Sequence, residues 1–294
     1  LFSFSIFFVL FLCFYYKLNI NDYMRYLRPL LFILFFAICS LPSFSQAIAD
    51  TAAVRILGEH KVNTAFQPGE ELIYELKYGF IKGGELKINV WLESVGYDYY
   101  FHVVARCYTT GLISKMATIN DIYESWFDIS TGLPIQAIRN VTENNYKRYN
   151  VDLFFQDSLY VMSMKSGRHD MRGHTLDLIS AFFYARRFIF DQQMSKNDKS
   201  MTLDTWFNED LYNLQLRYKS TDRIKTAFGK MECLRYVPVL NQESSFKKEE
   251  DMQAWFTNDA NYVPVRIRLN MPLADIHCEL ISYRNLKNSD GLLP

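Results

Sequence analysis

From Glu70 almost to the C-terminus, apolar residues recur at every second position, and no other feature constrains the fold as tightly. In an extended chain successive side chains point to opposite faces, so a period of two marks a strand with one buried face. Leu72, Tyr74, Leu76 and Tyr78 alternate with Ile73, Glu75 and Lys77, and Leu86, Ile88, Val90 and Leu92 alternate with Lys87, Asn89 and Glu93. Residues 97–108, 151–156, 211–218 and 263–269 read the same way. Short segments bearing Gly, Asn and Asp separate these runs, and Lys82-Gly83-Gly84 is expected to be one such turn. Connections this short leave no room for crossover helices, so the strands must pair antiparallel as a long meander.

One segment breaks the period. Over about residues 176–190 the spacing is helical, with Thr175 as N-cap, Asp177 in the first turn and Arg186-Arg187 in the last, each charge favourable to the helix dipole. Its wide apolar face runs through Leu178, Ile179, Phe182 and Phe183. A many-stranded twisted sheet curls. The expected fold is therefore mainly β, a strongly curved sheet or open barrel wrapped around one α-helix. An internal repeat accompanies it. Trp126-Phe127-Asp128 leads through Gly132 to Leu133-Pro134-Ile135, Trp255-Phe256-Thr257-Asn258-Asp259 leads to Val263-Pro264-Val265, and Trp206-Phe207 precedes Asn208-Glu209-Asp210. Each reads as a strand, a polar turn and a return strand.

The N-terminal part reads as an address. Met24-Arg25-Tyr26-Leu27-Arg28 is a basic leader, residues 30–41 are apolar, and Ser43 and Ser45 stand at −3 and −1 if cleavage precedes Gln46, the three parts of a secretory signal peptide. The apolar run is shorter than the roughly 20 residues of a membrane span. Cys39 raises a lipoprotein anchor, but Phe36-Ala37-Ile38 lacks the small residue expected before the cysteine, so a soluble periplasmic product is expected. Residues 1–23 read as an over-extended start, with a membrane anchor through residues 1–16 as the alternative. The domain plan is thus a signal peptide at 24–45, a flexible linker at 46–64 and one β-rich domain at 65–290.

Of the 32 Lys and Arg and the 32 Asp and Glu, only three and one fall in the first 45 residues, so the exported part is near neutral. Nucleic acid is excluded as a partner, because a phosphate binder shows a basic stripe. The dense run Lys247-Lys248-Glu249-Glu250-Asp251 is mixed in sign and reads as a solvated loop. Cys107, Cys233 and Cys278 lie on alternating strands, an odd set that implies no disulfide framework and reads as buried thiols, with one pair left open should the fold bring two together.

Phe66-Gln67-Pro68-Gly69-Glu70, Leu72-Ile73-Tyr74, Tyr78-Gly79-Phe80-Ile81-Lys82-Gly83-Gly84, the Trp-Phe-Asp to Leu-Pro hairpin and the segment Asp177 to Arg186 together resemble the DUF3108 family of exported bacterial proteins over about residues 65–290. Ser43-Phe44-Ser45 ahead of Gln46 is similar to signal peptides of Bacteroidetes. The resemblance implies a compartment and a fold, not a reaction. A more distant likeness, through the hairpins and a sheet curled round a helix, is to periplasmic lipoprotein-carrier folds.

No residue pattern carries catalysis, a metal or a cofactor. His169 and His174 bracket Asp170 without metal-site spacing. His102 and His277 lie on strands, and Gly-x-Ser-x-Gly, His-Glu-x-x-His and phosphate-loop motifs are missing. Asp121, Glu124 and Asp128 read as turn and rim carboxylates, Glu124 and Asp128 sharing the more exposed face with Trp126. What remains is an aromatic share of 16%, more than a one-sided core requires. The leading expectation is a non-enzymatic binding protein with an apolar groove for a lipid, an acyl chain or a hydrophobic segment. Trp126, Phe155, Phe182 and Phe183 would line that groove, and Asp177 and Arg186 would be helix-end charges. The alternative is an envelope module that holds a protein partner through a sheet edge or an exposed patch. Oligomeric state leaves no mark on the sequence.

Overall fold

A computed structural model describes residues 62–188, 200–240, 252–270 and 275–288. The leader, most of the linker and the Lys247 to Asp251 run lie outside them. Eight strands come first: β1 (Glu71–Tyr78), β2 (Ile81–Val95), β3 (Asp98–Thr109), β4 (Asn120–Asp128), β5 (Pro134–Glu143), β6 (Tyr146–Phe155), β7 (Tyr160–Ser163) and β8 (Gly167–Asp170). A one-turn helix, α1 (Ile113–Met116), interrupts them after β3, and the main helix α2 (Leu178–Phe188) follows β8. Six more strands complete the chain: β9 (Ser200–Phe207), β10 (Asp210–Thr226), β11 (Gly229–Leu240), β12 (Met252–Thr257), β13 (Pro264–Leu269) and β14 (Ile276–Arg284).

All fourteen form one antiparallel sheet, ordered β8 to β1 and then β14 back to β9. The expected meander is therefore two meanders, sewn together where β14 pairs with β1. The sheet stays open, since β8 and β9 are its two edges. It curves around α2. A backbone bridge between Leu176 and Thr205 ties the segment entering the helix to β9, with Leu176 N donating to Asp204 O at 2.9 Å and Trp206 N to Leu176 O at 2.8 Å. No helix among the described residues is long and apolar enough to cross a membrane.

The alternation decides the faces as expected. Leu72, Tyr74 and Leu76 on β1, Leu86, Ile88 and Val90 on β2, and Phe101, Val103, Ala105 and Cys107 on β3 are all buried on the helix side, whereas Leu92, next in the β2 series, is exposed. Cys107, Cys233 and Cys278 are buried and form no disulfide. Two local expectations are corrected. The turn between β1 and β2 is at Gly79-Phe80, where Gly79 takes φ 58°, and Gly83-Gly84 lies inside β2. A Cβ on Gly84 would sit 2.6 Å from the Tyr108 carbonyl oxygen on β3, so glycine is there for close strand approach rather than for a turn. The helix N-cap is Asp177, not Thr175. Asp177 Oδ1 accepts from Ile179 N at 2.8 Å and Ser180 N at 3.2 Å, and Ser180 Oγ accepts in return from Asp177 N at 2.9 Å, the reciprocal pattern of a capping box.

The far end of α2 is held by charge inside the core. Arg186, expected as a helix-end charge, has a side chain 0% exposed and pairs with the equally buried Glu70 at 2.5 Å. Its remaining donors go to Asn261 O and Ala65 O, and its guanidinium lies over Phe66 and Phe183. Asn63, at the end of the expected linker, and Ala65 and Phe66 after it are themselves buried. Removing one partner of such a pair strands a charge in the core and costs about 3–5 kcal/mol, whereas replacing both by apolar groups can be near neutral. Arg186→Met is therefore expected to destabilise the protein by that amount in urea denaturation, and Arg186→Met with Glu70→Leu to recover most of it; a single-variant loss under about 1 kcal/mol would contradict the assignment.

Candidate functional site

Two spaces meet at Ile179, in the first turn of α2. The first is bounded by Tyr74, Leu86, Phe182, Phe183, Ile267 and Cys278, and its walls are entirely apolar. Its free volume is about 20 Å³, room for about one water rather than a ready-made acyl chamber. Phe183 is fixed by edge contacts with Phe66 at 4.7 Å and Phe182 at 5.2 Å, and by Phe127 at 5.8 Å. Phe182 is only half-buried. The Tyr74 hydroxyl is buried without a hydrogen-bond partner, and burial raises its pKa well above the ordinary tyrosine value.

The second space has a mixed lining, apolar side chains alternating with charged and amide groups. Arg139, Arg148, Asn150, Asp152, Trp206 and Asn208 line it together with Asp177, Leu178 and Ile179. Arg139 Nη1 and Arg148 Nη1 both donate to Asn208 Oδ1, at 3.1 and 2.6 Å. Asn208 and Glu209 both have positive φ, 51° and 68°, in the two-residue β9–β10 hairpin, the backbone of a type I′ turn that favours Asn at its first position. Arg148 also pairs with Glu209. Burial lifts the Asp152 carboxyl above its ordinary value. It lifts Asp177 as well, while hydrogen bonds from Ser125 Oγ at 2.6 Å, Ser180 and the helix backbone act to hold that carboxyl down.

Asp121, expected at a rim, is 0% exposed. Its Oδ1 accepts from Thr142 N at 3.0 Å, and its charge lies beside the buried Glu143. Burial first, and then repulsion from Asp121, push the Glu143 carboxyl up to about 7. Glu124 and Asp128 do face outward with Trp126, and Asp128 organises its turn by accepting from the backbone N–H groups of Ser130 and Thr131. Among the described residues no group of three or more His, Cys, Asp or Glu converges as a metal site.

Of the six residues singled out by sequence, the structure gathers three: Phe182 and Phe183 at the apolar space and Asp177 at the mixed one. Arg186 is at the opposite end of the helix, in its ion pair with Glu70. Trp126 is on the outer face, stacked on His102 at 3.9 Å with its indole N–H on Glu93, and Phe155 is outside too, stacked on Tyr160 at 4.4 Å. Tyr74, Arg139, Arg148 and Asn208 were not foreseen. Their signal was register, since the alternation that buries Val141 puts Arg139 on the same face of β5, and the one that buries Asn150 and Phe154 does so for Arg148 on β6.

Residues 73–280 match the family described as "Protein of unknown function (DUF3108)". Comparison with curated proteins finds no match. Among solved structures, the chain is similar to a beta-barrel-like protein of a domain of unknown function, DUF1849, from Brucella abortus, with 9% identity over 76% of this chain and 99% of that one and a TM-score of 0.50. Weaker likenesses are to a candidate lipoprotein from Parabacteroides distasonis, with 8% identity over 77% and 100% of the two chains and a TM-score of 0.34, and to a candidate exported protein with a YmcC-like fold from Bacteroides fragilis, with 12% identity over 76% and 99% and a TM-score of 0.31. The first shows the fold alone, and the other two carry no argument.

The Glu143 carboxyl has a consequence for stability. Its folded-state value lies above the unfolded one of 4.5, so the folded protein holds the proton more tightly and stability falls as pH rises from about 4.5 through about 7. Glu143→Gln removes this loss. The variant should match the parent in thermal unfolding at pH 4.5 and exceed it by about 2 kcal/mol at pH 8, a figure reduced for solvent screening; equal stability at both pH values would show that the carboxyl is not strained.

Proposed function

The chain belongs to the DUF3108 family, proteins of unknown function, and from that premise we propose that it is an exported, non-catalytic binding protein that takes up an apolar group beside Phe182 and Phe183. The observation that carries this reading is the apolar space between α2 and the sheet, walled by Tyr74, Phe182 and Phe183 among others. Hydrophobic lining with few polar groups is the usual make-up of a small-molecule site. The space is small as it stands, so an acyl chain enters by displacing Phe182, the half-buried member of the pair. The signal-peptide pattern of residues 24–45 supports export to the periplasm, where the ligand would be a lipid, an acyl chain or a hydrophobic segment.

Binding is measured with N-phenyl-1-naphthylamine, a neutral apolar fluorophore, alongside mass spectrometry of an organic extract of the native protein. Saturable binding is expected, weakened about tenfold by Phe182→Trp, which fills the space. An empty extract together with non-saturable fluorescence would overturn the reading.

A second reading has its own observation. On the outer face Trp91, Leu153, Phe155 and Met162 are all exposed, on β2, β6 and β7. A protein partner in the envelope would cover such a patch. A photocross-linker at Leu153 should then capture one stoichiometric partner in the periplasm, and a smear of products would count against it.

A further inference from the structure

Arg139 and Arg148 occupy diagonal positions on the inner face, Arg139 opposite Asn150 and Arg148 opposite Val141. Like charges this close on a sheet repel, and partial burial adds a desolvation cost. Such a pair persists where an anion lies against it. Arg148 has Glu209, but among the described residues Arg139 has no carboxylate at ion-pair distance, and its one hydrogen bond is to a neutral amide oxygen, Asn208 Oδ1. Glu143, whose carboxyl feels the Arg139 charge, makes no ion pair with it and is pushed up to about 7 by burial and by the neighbouring Asp121. The Nε–H groups of both arginines are buried without an acceptor. The guanidinium of Arg139 is nevertheless held in place, 4.5 Å from the Phe207 ring and 5.9 Å from that of Tyr123.

We propose that Arg139 and Arg148 form a recognition site for an anionic oxygen group, a carboxylate or a phosphate monoester, borne by the same ligand whose apolar part enters beside Phe182. Asn208 Oδ1 stands where one ligand oxygen would lie, touched by both guanidinium groups. Arginine suits the task because its planar fork matches two oxygens at once and keeps its charge. Ile179 lines both the mixed and the apolar space, so a head group at the arginines leaves the adjoining tail at the threshold of the apolar side. That the ligand is an amphiphile rests on the function proposed above; the anion site itself does not, because free phosphate offers the same chemistry.

Calorimetry of the exported chain with decanoate, decanol and inorganic phosphate separates the cases. Decanoate is expected to bind at least tenfold more tightly than decanol, and Arg139→Gln, with an unchanged melting profile, to bring the two to parity without altering decanol. Phosphate binding that depends on Arg139, with neither decanoate nor decanol bound, supports the anion site and sinks the apolar reading. Equal binding of decanoate and decanol, indifferent to Arg139→Gln, overturns the anion site and leaves the apolar reading standing. No binding of any probe overturns both. Asn208→Asp guards against a variant that simply misfolds. It places a carboxylate between the two guanidinium groups at a turn position that tolerates aspartate, so the melting temperature should rise while decanoate affinity falls about tenfold. A lower melting temperature with decanoate binding intact overturns the proposal.

Discussion

A guanidinium removed completely from water is among the costliest groups a core can hold, and Arg186 makes the rest of the structure answer to that cost. Its charge is met by Glu70, just before β1, and its other donors by Ala65 O in the N-terminal arm and Asn261 O in the β12–β13 loop. These partners are 116, 121 and 75 residues away along the chain. The helix therefore cannot settle with this charge satisfied until the first strand and the last hairpins are also in place. Phe66 comes in with the same arm and packs edge-on against Phe101 and Phe183, so the segment that neutralises the arginine also closes the apolar core above it.

The helix end also reads the internal repeat. In both Trp-Phe hairpins the register slips by one residue between Trp and Phe, at Trp126/Phe127 opposite Pro134 and at Trp255/Phe256 opposite Pro264. Both indoles donate outward to a carboxylate two strands away, Trp126 to Glu93 on β2 and Trp255 to Asp222 on β10. Adjacent arginines on α2 then reach one loop each, Arg187 to Ser130 O and Arg186 to Asn261 O. The third pair, Trp206-Phe207, breaks the pattern. Its turn has no proline in the return strand and brings Asn208 against Arg139 and Arg148. The arginine cleft thus arises where the repeat is departed from.

Strand faces were legible because alternation is a local property, and the helix because Leu178, Ile179, Phe182 and Phe183 have helical spacing within a single window. The corrections came from distant neighbours. Gly83-Gly84 looks like a turn until β3 brings the Tyr108 carbonyl against it, and Asp177 outranks Thr175 as cap partly because Ser125, 52 residues earlier, donates to its second oxygen. Chemical identity misled where parity did not. Trp126 and Phe155 were chosen for the groove as aromatics, yet each is adjacent in sequence to the buried Phe127 and Phe154 and so must point the other way. The same rule turns Arg139 and Arg148 inward. The pairing of β14 with β1, joining residues some 200 apart, leaves no local trace at all.

Close packing explains why the site belongs on one flank of the helix. Interiors are filled nearly as densely as crystals, so a gap opens most cheaply where the side chain beside it has least to lose. Phe183 cannot be that side chain, because its movement would uncover Phe66, Phe127 and the Arg186 guanidinium together. Phe182 is half-buried and packs edge-on against Phe183. Ile179 sits one turn back, buried, with hydrocarbon on one side and the arginine cleft on the other. On the proposed reading, a ligand admitted at Phe182 would meet the apolar wall first and the two guanidinium groups beyond Ile179, the order in which an amphiphile carries its own parts.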